Sequence, residues 1–374
     1  MSEARTRAGW LVPGLGHLLV GEWIVGLGLM AHLVLLVGAA FGARRLPDLL
    51  YGPGGAVLVH PMVALAAWPT LAAMLWWIAY RRSTSTERAP RRATTSFVRT
   101  FSRHPTGLLG LVGVSFMFAT TVLTPLLAPF DPVEAWVGPA RAAPSAAFWM
   151  GTDELGRDVF SRVLYGGRIS LSIGFLAVGI AASIGTFAGA VAGYTSGSWV
   201  DRALMFGVDV LLSLPRLVLL LALVGLFRPT GTRGLVLIVA ILGFTAWMGI
   251  SRIVRSEVMS LKQREFVAAA RALGLSHTRI LFAHLVPNAI APVIVFCSLL
   301  IGGTMLAEAA LSFLGLGVPP PTATWGVMVS DGRAPLRIAP WISVFPGLAI
   351  MVSVLSFNLL GDGLRDALDP KLRS

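Results

Sequence analysis

Eight stretches of this 374-residue chain are largely apolar over about 20 residues, the length a helix needs to cross a bilayer core. That feature constrains the fold more than any other. In hydrocarbon every peptide N–H and C=O must be satisfied within the protein, so such a run becomes a helix or part of a closed barrel. The runs do not alternate apolar with polar residues, which argues against a barrel. Only 13% of residues are charged and 55% are hydrophobic, far from the charge content of a soluble domain. The 41 Gly and 23 Pro fit helices that approach closely in lipid. The expected fold is an all-α integral membrane protein.

The spans are read at about 20–42, 56–80, 107–129, 169–193, 204–227, 234–250, 288–313 and 338–360. The first two form a self-contained hairpin within residues 1–80, and the second ends in the interface pattern LWWIAYRR. Residues 81–105 are a linker with seven Arg and one Glu among Ser, Thr and Pro. The remaining six spans make one domain over residues 106–374. In the span at 169–193, Gly185, Gly189 and Gly193 recur at steps of four and present a smooth face to another helix.

Basic residues orient the chain. With both termini cytoplasmic, 19 of the 30 Lys and Arg fall on the inner side and 10 on the outer, with Arg216 inside a span. The net charge of +12 is therefore a positive-inside bias and a contact with membrane lipid, not a sign of nucleic acid. No cleavable signal pattern opens the chain. The single cysteine, Cys297, lies in an apolar run as a buried thiol and excludes a Cys-cluster metal site. No catalytic or metal-binding spacing stands out. His32 and His60, one per helix in the hairpin, carry no haem pattern. Neither a cofactor nor enzyme chemistry is expected.

One polar stretch interrupts the apolar spans of the C-terminal half, EFVAAARALGLSHTRILFAHLVP at Glu265–Pro287. Apolar residues recur in it at helical spacing, Gly274 breaks the pattern and Pro287 ends it. The reading is a helix, a glycine hinge and a second helix, held on the cytoplasmic side as a docking surface. Ala268, Ala269 and Ala270 make a narrow helix face, while Glu265 and Arg271 supply ion pairs or cap contacts. Pro287 starts the next span, where its missing N–H costs little. Among carboxylates in or near spans, Glu308 either faces a pathway or caps or pairs with Arg near the outer end of its helix. Asp209 and Arg216, seven residues apart, are placed on one helix face, where they either pair with neighbours or meet a substrate in the pathway. Asp153, Glu154, Arg157 and Asp158 form an exposed charged cluster outside the membrane. They either contact an external protein or tie their loop to the following span.

The stretch at 265–287 resembles the EAA loop of permease subunits of binding-protein-dependent ABC importers. That pattern is Glu-Ala-Ala, three residues, Gly, nine residues, Ile, one residue, Leu-Pro. This chain has Ala268, Ala269 and Ala270, then Gly274, then His284, Leu285, Val286 and Pro287 at the matching spacings. Ala268 replaces Glu, His284 replaces Ile and Val286 replaces Leu. Three further stretches, at 151–174, 307–328 and 340–373, resemble the second permease of the dipeptide, oligopeptide and nickel branch. The likeness covers about residues 97–373 and leaves out the hairpin. It implies a six-helix, MetI-like permease core in a bacterial inner membrane, with a coupling loop at about 259–287. It further implies a homologous permease as partner, two separate ATP-binding subunits and an extracytoplasmic solute-binding protein. The coupling residues would be Glu265, Ala268, Ala269, Ala270, Arg271, Gly274 and Pro287. In a peptide importer, Glu308 would meet a peptide amino terminus, and the Asp153–Asp158 cluster would meet the binding protein.

The chain has no Gly-x-x-x-x-Gly-Lys-Ser/Thr loop, so ATP must be hydrolysed by another polypeptide. The alternative is a secondary transporter or channel without ATPases. It would predict inverted repeats and paired broken helices, which the sequence does not clearly display.

Overall fold

The computed structural model describes residue 101, residues 104–227 and residues 231–368. The expected hairpin of residues 1–80 and almost all of the 81–105 linker lie outside the described residues. The helices run in the order α1 (Pro105–Leu127), α2 (Val159–Tyr194), α3 (Trp199–Ser213), α4 (Arg216–Phe227), α5 (Gly231–Phe244), α6 (Trp247–Lys262), α7 (Glu265–Ala272), α8 (His277–Arg279), α9 (Val286–Phe313), α10 (Trp325–Asp331) and α11 (Trp341–Leu368). A π-turn at Ile280–Leu285 joins α8 to α9. Among the described residues, five continuous helical stretches (α1, α2, α5–α6, α8–α9 and α11) are long and apolar enough to cross a membrane, and the bent pair α3–α4 brings the number to six if it is one span. The six core spans and the absence of strands among the described residues agree with the all-α expectation.

Most helices run further than the apolar signal. The span expected at 169–193 is part of a 36-residue helix, about 54 Å long at the usual rise. Asp158 starts it ten residues early by accepting from the Ser161 N–H at 2.8 Å. Gly166 and Gly167 do not break it, because they make room for the Trp325 ring. The span expected at 204–227 is instead broken, with α3 and α4 bent by 90°. Pro215 lacks an N–H and drives Leu214 into an extended conformation, φ −85° and ψ 132°.

The glycine steps set the packing. A Cβ on Gly185, Gly189 or Gly193 would meet the carbonyl oxygens of Trp247, Ser251 and Arg255 at 2.4–2.6 Å. The α2 stripe therefore lies directly on the backbone of α6, row against row at the same step of four. At the other edge, Gly107 and Gly110 let α1 touch the backbone of α11 at Gly363 and Leu360. Between these seams α2 and α9 hold the interior, with Leu171, Val178, Ile301 and Met305 in one buried cluster with Phe357 of α11.

Candidate functional site

Helix α7 and the turn after it project from one end of the bundle. Glu265 opens the first turn of α7 and Arg271 closes the last, as the helix dipole favours. Val267 and Ala270 are buried in a cluster with Val254 and Val258 of α6 and Ile280, Leu281 and Leu285 of the π-turn. Glu265, Ala268, Ala269 and Arg271 lie on the exposed side. The helix ends in a Schellman motif. The Gly274 N–H donates to the Arg271 carbonyl at 2.9 Å, and the Leu275 N–H to the Ala270 carbonyl at 3.2 Å. Gly274 has φ +74°, which an L side chain rarely adopts. Beside it Leu273 stands 79% exposed at the tip.

Pro287 stands in the first turn of α9, where the span was expected to start, but the chain does not leave the helix there. Helical structure runs without a break from His277 to Phe313. In a regular helix the proline ring would strike the carbonyl four residues back. The π-turn relieves this, with the Val286 N–H reaching the Leu281 carbonyl five residues back. The arm is tied to the end of α2 by Tyr194, whose hydroxyl lies 2.6 Å from His277 Nδ1. Lys262 donates to the Tyr194 carbonyl at 2.6 Å.

Two ion pairs join α3 to α6, the helix that leads into α7. Arg255 binds Asp201 with both arms of its guanidinium, at 2.6 and 2.8 Å, and Asp201 is buried. One turn along, Arg252 pairs with Asp209, both more than half exposed. A cavity of about 340 Å³ opens beside them, lined by Met205, Asp209, Arg252 and Arg255. Asp209 and Arg216 do not share a helix face, because the 90° break at Pro215 separates them. Arg216 makes no ion pair among the described residues, and its Nε and Nη2 are buried without a hydrogen-bond partner.

Glu308 is 2% exposed and has no Arg partner among the described residues. Its Oε1 accepts from the Ser312 hydroxyl at 2.8 Å and the Thr324 hydroxyl at 2.9 Å. Thr324 is also the N-cap of α10, accepting from the Val327 N–H. Glu308 thereby pins the short helix α10 to α9. Trp325 fastens it to α2, donating from Nε1 to the Val163 carbonyl at 2.8 Å.

The cluster at the opposite end of the bundle is mostly internal, a correction to the exposed placement. Asp153 is 4% exposed and Asp158 2%. Asp153 accepts from Arg157 Nε at 2.6 Å and from the Leu155 and Arg157 N–H groups, which closes the turn. Arg162 joins Asp153 at 3.5 Å to Asp331 at 3.6 Å. Burial holds the Asp331 carboxyl above the usual carboxylate range despite that arginine. Asp153, Arg157 and Asp158 tie the loop to α2. Glu154 alone faces out, paired with Arg141 at 2.9 Å.

Sequence reasoning missed the α3–α6 ladder and the hydroxyls around Glu308. Ser198 three residues before Asp201 is an N-cap signal, and Arg252 and Arg255 share a helix face, so half of each ladder pair was readable. Which acid meets which arginine depends on tertiary packing.

A transport-permease family model, described as binding-protein-dependent transport system inner membrane component, matches residues 185–374. A second, the N-terminal TM domain of oligopeptide transport permease C, matches residues 94–144. The dipeptide transport system permease protein DppC of Alkalihalophilus pseudofirmus is 42% identical over 267 residues, covering 71% of this chain and 86% of its own. The glutathione transport system permease protein GsiD of Pectobacterium atrosepticum is 41% identical over 290 residues, covering 77% and 94%. GsiD of Escherichia coli is 42% identical over 278 residues, covering 74% and 90%. Similarity at this level, over six helical spans, decides the family. The chain belongs to the binding-protein-dependent transport system inner membrane components: it is a multi-pass permease subunit of an ABC importer, with ATP hydrolysis and solute capture left to partner proteins.

Proposed function

We propose that this permease carries di- or oligopeptides, or a closely related small solute, inward across the bacterial inner membrane by alternating access. The observation that carries the substrate class is the likeness to dipeptide and glutathione permeases along almost their whole length. A second, homologous permease completes the pathway, and both termini lie in the cytoplasm. The basic-residue bias supports that orientation.

In this reading α7 is the coupling helix. Its exposed Ala268 and Ala269, with Leu273, enter a cleft on one ATP-binding subunit, whereas Ala270 is buried and belongs to the inner face. The buried face, with Val267 at its centre, passes the movement to α6 and the π-turn. Gly274 and the Schellman motif fix the angle between α7 and the next helix. Pro287 belongs to this lever through the π-turn and not as a hinge of its own. Glu308 holds α9 to α10 and does not line the pathway. Asp209 is part of the α3–α6 ladder. At the outer end, Glu154 with Arg141 is the part of the charged cluster available to the binding protein.

The test is purification of the chain in mild detergent, followed by reconstitution with the binding protein and uptake of labelled dialanine. Co-elution with a second permease and two ATP-binding subunits, with ATP-dependent uptake, is expected. A homo-oligomer that transports without ATP would overturn the reading in favour of a secondary transporter.

A further inference from the structure

We infer that Arg216, at the break between α3 and α4, is a solute-binding residue that takes the carboxylate of an anionic or zwitterionic solute in passage. The inference rests on the permease reading above. Helix α4 is apolar from Leu217 to Phe227, so Arg216 is its one charged residue. Twelve residues rise about 18 Å, too short to cross a core of about 30 Å, so α3 and α4 together make the span. The guanidinium therefore sits within a broken span, not at its outer end.

An arginine inside a membrane is costly unless it meets an anion or water. This one meets neither carboxylate nor carbonyl among the described residues, and Nε and Nη2 are already shielded from solvent without a partner. The other charges of this region are occupied: Asp209 is held by Arg252, and Asp201 by Arg255. The missing anion must come from elsewhere.

The surroundings favour the transported solute as its source. Leu214, Leu217 and Val218 beside Arg216 are each more than 40% exposed, so the described residues do not cover the break. A second permease covering that side would leave the guanidinium facing the space between the two subunits. In secondary transporters a broken span aims the positive end of a half-helix at an anionic substrate group, and Arg216 stands at the start of the half-helix α4. The guanidinium fork matches the two oxygens of a carboxylate, which every peptide with a free C-terminus carries.

The complete complex, reconstituted with its binding protein, is compared as wild type, Arg216→Gln and Arg216→Lys. The probes are labelled dialanine and its C-terminal amide, at concentrations that saturate the binding protein. Arg216→Gln is expected to slow dialanine uptake by about tenfold or more, the effect of losing one charge-assisted hydrogen bond. Uptake of the amide, assembly and ATP hydrolysis should stay near wild type. Arg216→Lys, which keeps the charge and loses the fork, should recover part of the dialanine rate. Equal loss for both probes, or loss of assembly, would mean a pairing with the second permease and overturn the inference. Wild-type uptake of both probes by Arg216→Gln would mean a lipid-facing side chain and overturn it too. If wild type takes up neither probe, the peptide reading itself falls, and this inference with it.

Discussion

Gly274 is held by its backbone angle and not by crowding around it. A Cβ placed there would find no heavy atom within 4 Å, so the position does not demand glycine for space. It demands glycine for its φ of +74°. A left-handed conformation costs a non-glycine residue about 1–2 kcal/mol, least for Asn and most for β-branched residues. That separates two substitutions of similar size. Gly274→Asn keeps the Schellman turn and should keep peptide uptake near the wild-type rate. Gly274→Val favours an extended or right-handed backbone, re-aims α8 relative to α7, and should abolish uptake while leaving the chain inserted in the membrane. Equal uptake by both variants in reconstituted complexes would show that the turn geometry does not transmit force. The opposite kind of glycine is Gly189, whose Cβ would lie 2.4 Å from the Ser251 carbonyl. There the close approach of α2 to α6 is the reason, and backbone freedom is not.

At the level of elements, the α3–α6 ladder joins the helix that leads into α7 to the broken pair α3–α4. Its two rungs differ in strength for a physical reason. Arg252 and Asp209 are both more than half exposed, so their pair contributes about 0–1 kcal/mol. Asp201 is buried and grips Arg255 by two hydrogen bonds, worth about 1.5–3 kcal/mol if removed. Asp201→Asn should therefore lower the Tm of the purified complex and reduce solute moved per ATP hydrolysed. Asp209→Asn should leave Tm unchanged. An unchanged transport ratio in Asp201→Asn would show that α6 does not act on α3 through this rung. The spans and the helix–Gly–helix arm were legible beforehand because apolar length and Gly274 are local signals. The 90° break was within reach, since Pro215 stands in the middle of the apolar run. It was passed over because apolar length alone does not distinguish one span from two half-helices. The partners of Glu308 were not legible, because Thr324 is 16 residues away and reaches it only after α10 folds back against α9. The same holds for Asp153 and Asp158. In sequence they read as surface charge, but the loop folds around them.

At the scale of the whole molecule, the family likeness leaves residues 1–80 unmatched. The relatives are covered over 86–94% of their own lengths by only 71–77% of this chain. The family models begin at residue 94. The matched family regions, residues 94–144 and 185–374, lie outside residues 1–80. A chain starting at residue 81 keeps the Arg-rich linker and its positive-inside signal, so its orientation should hold. We expect this truncated chain to insert, to co-purify with the second permease and the ATP-binding subunits, and to take up dialanine at the wild-type rate. Normal assembly with lost uptake would make the hairpin a regulatory contact. Lost assembly would make it a structural part of the complex, and either result would refute a core that works alone.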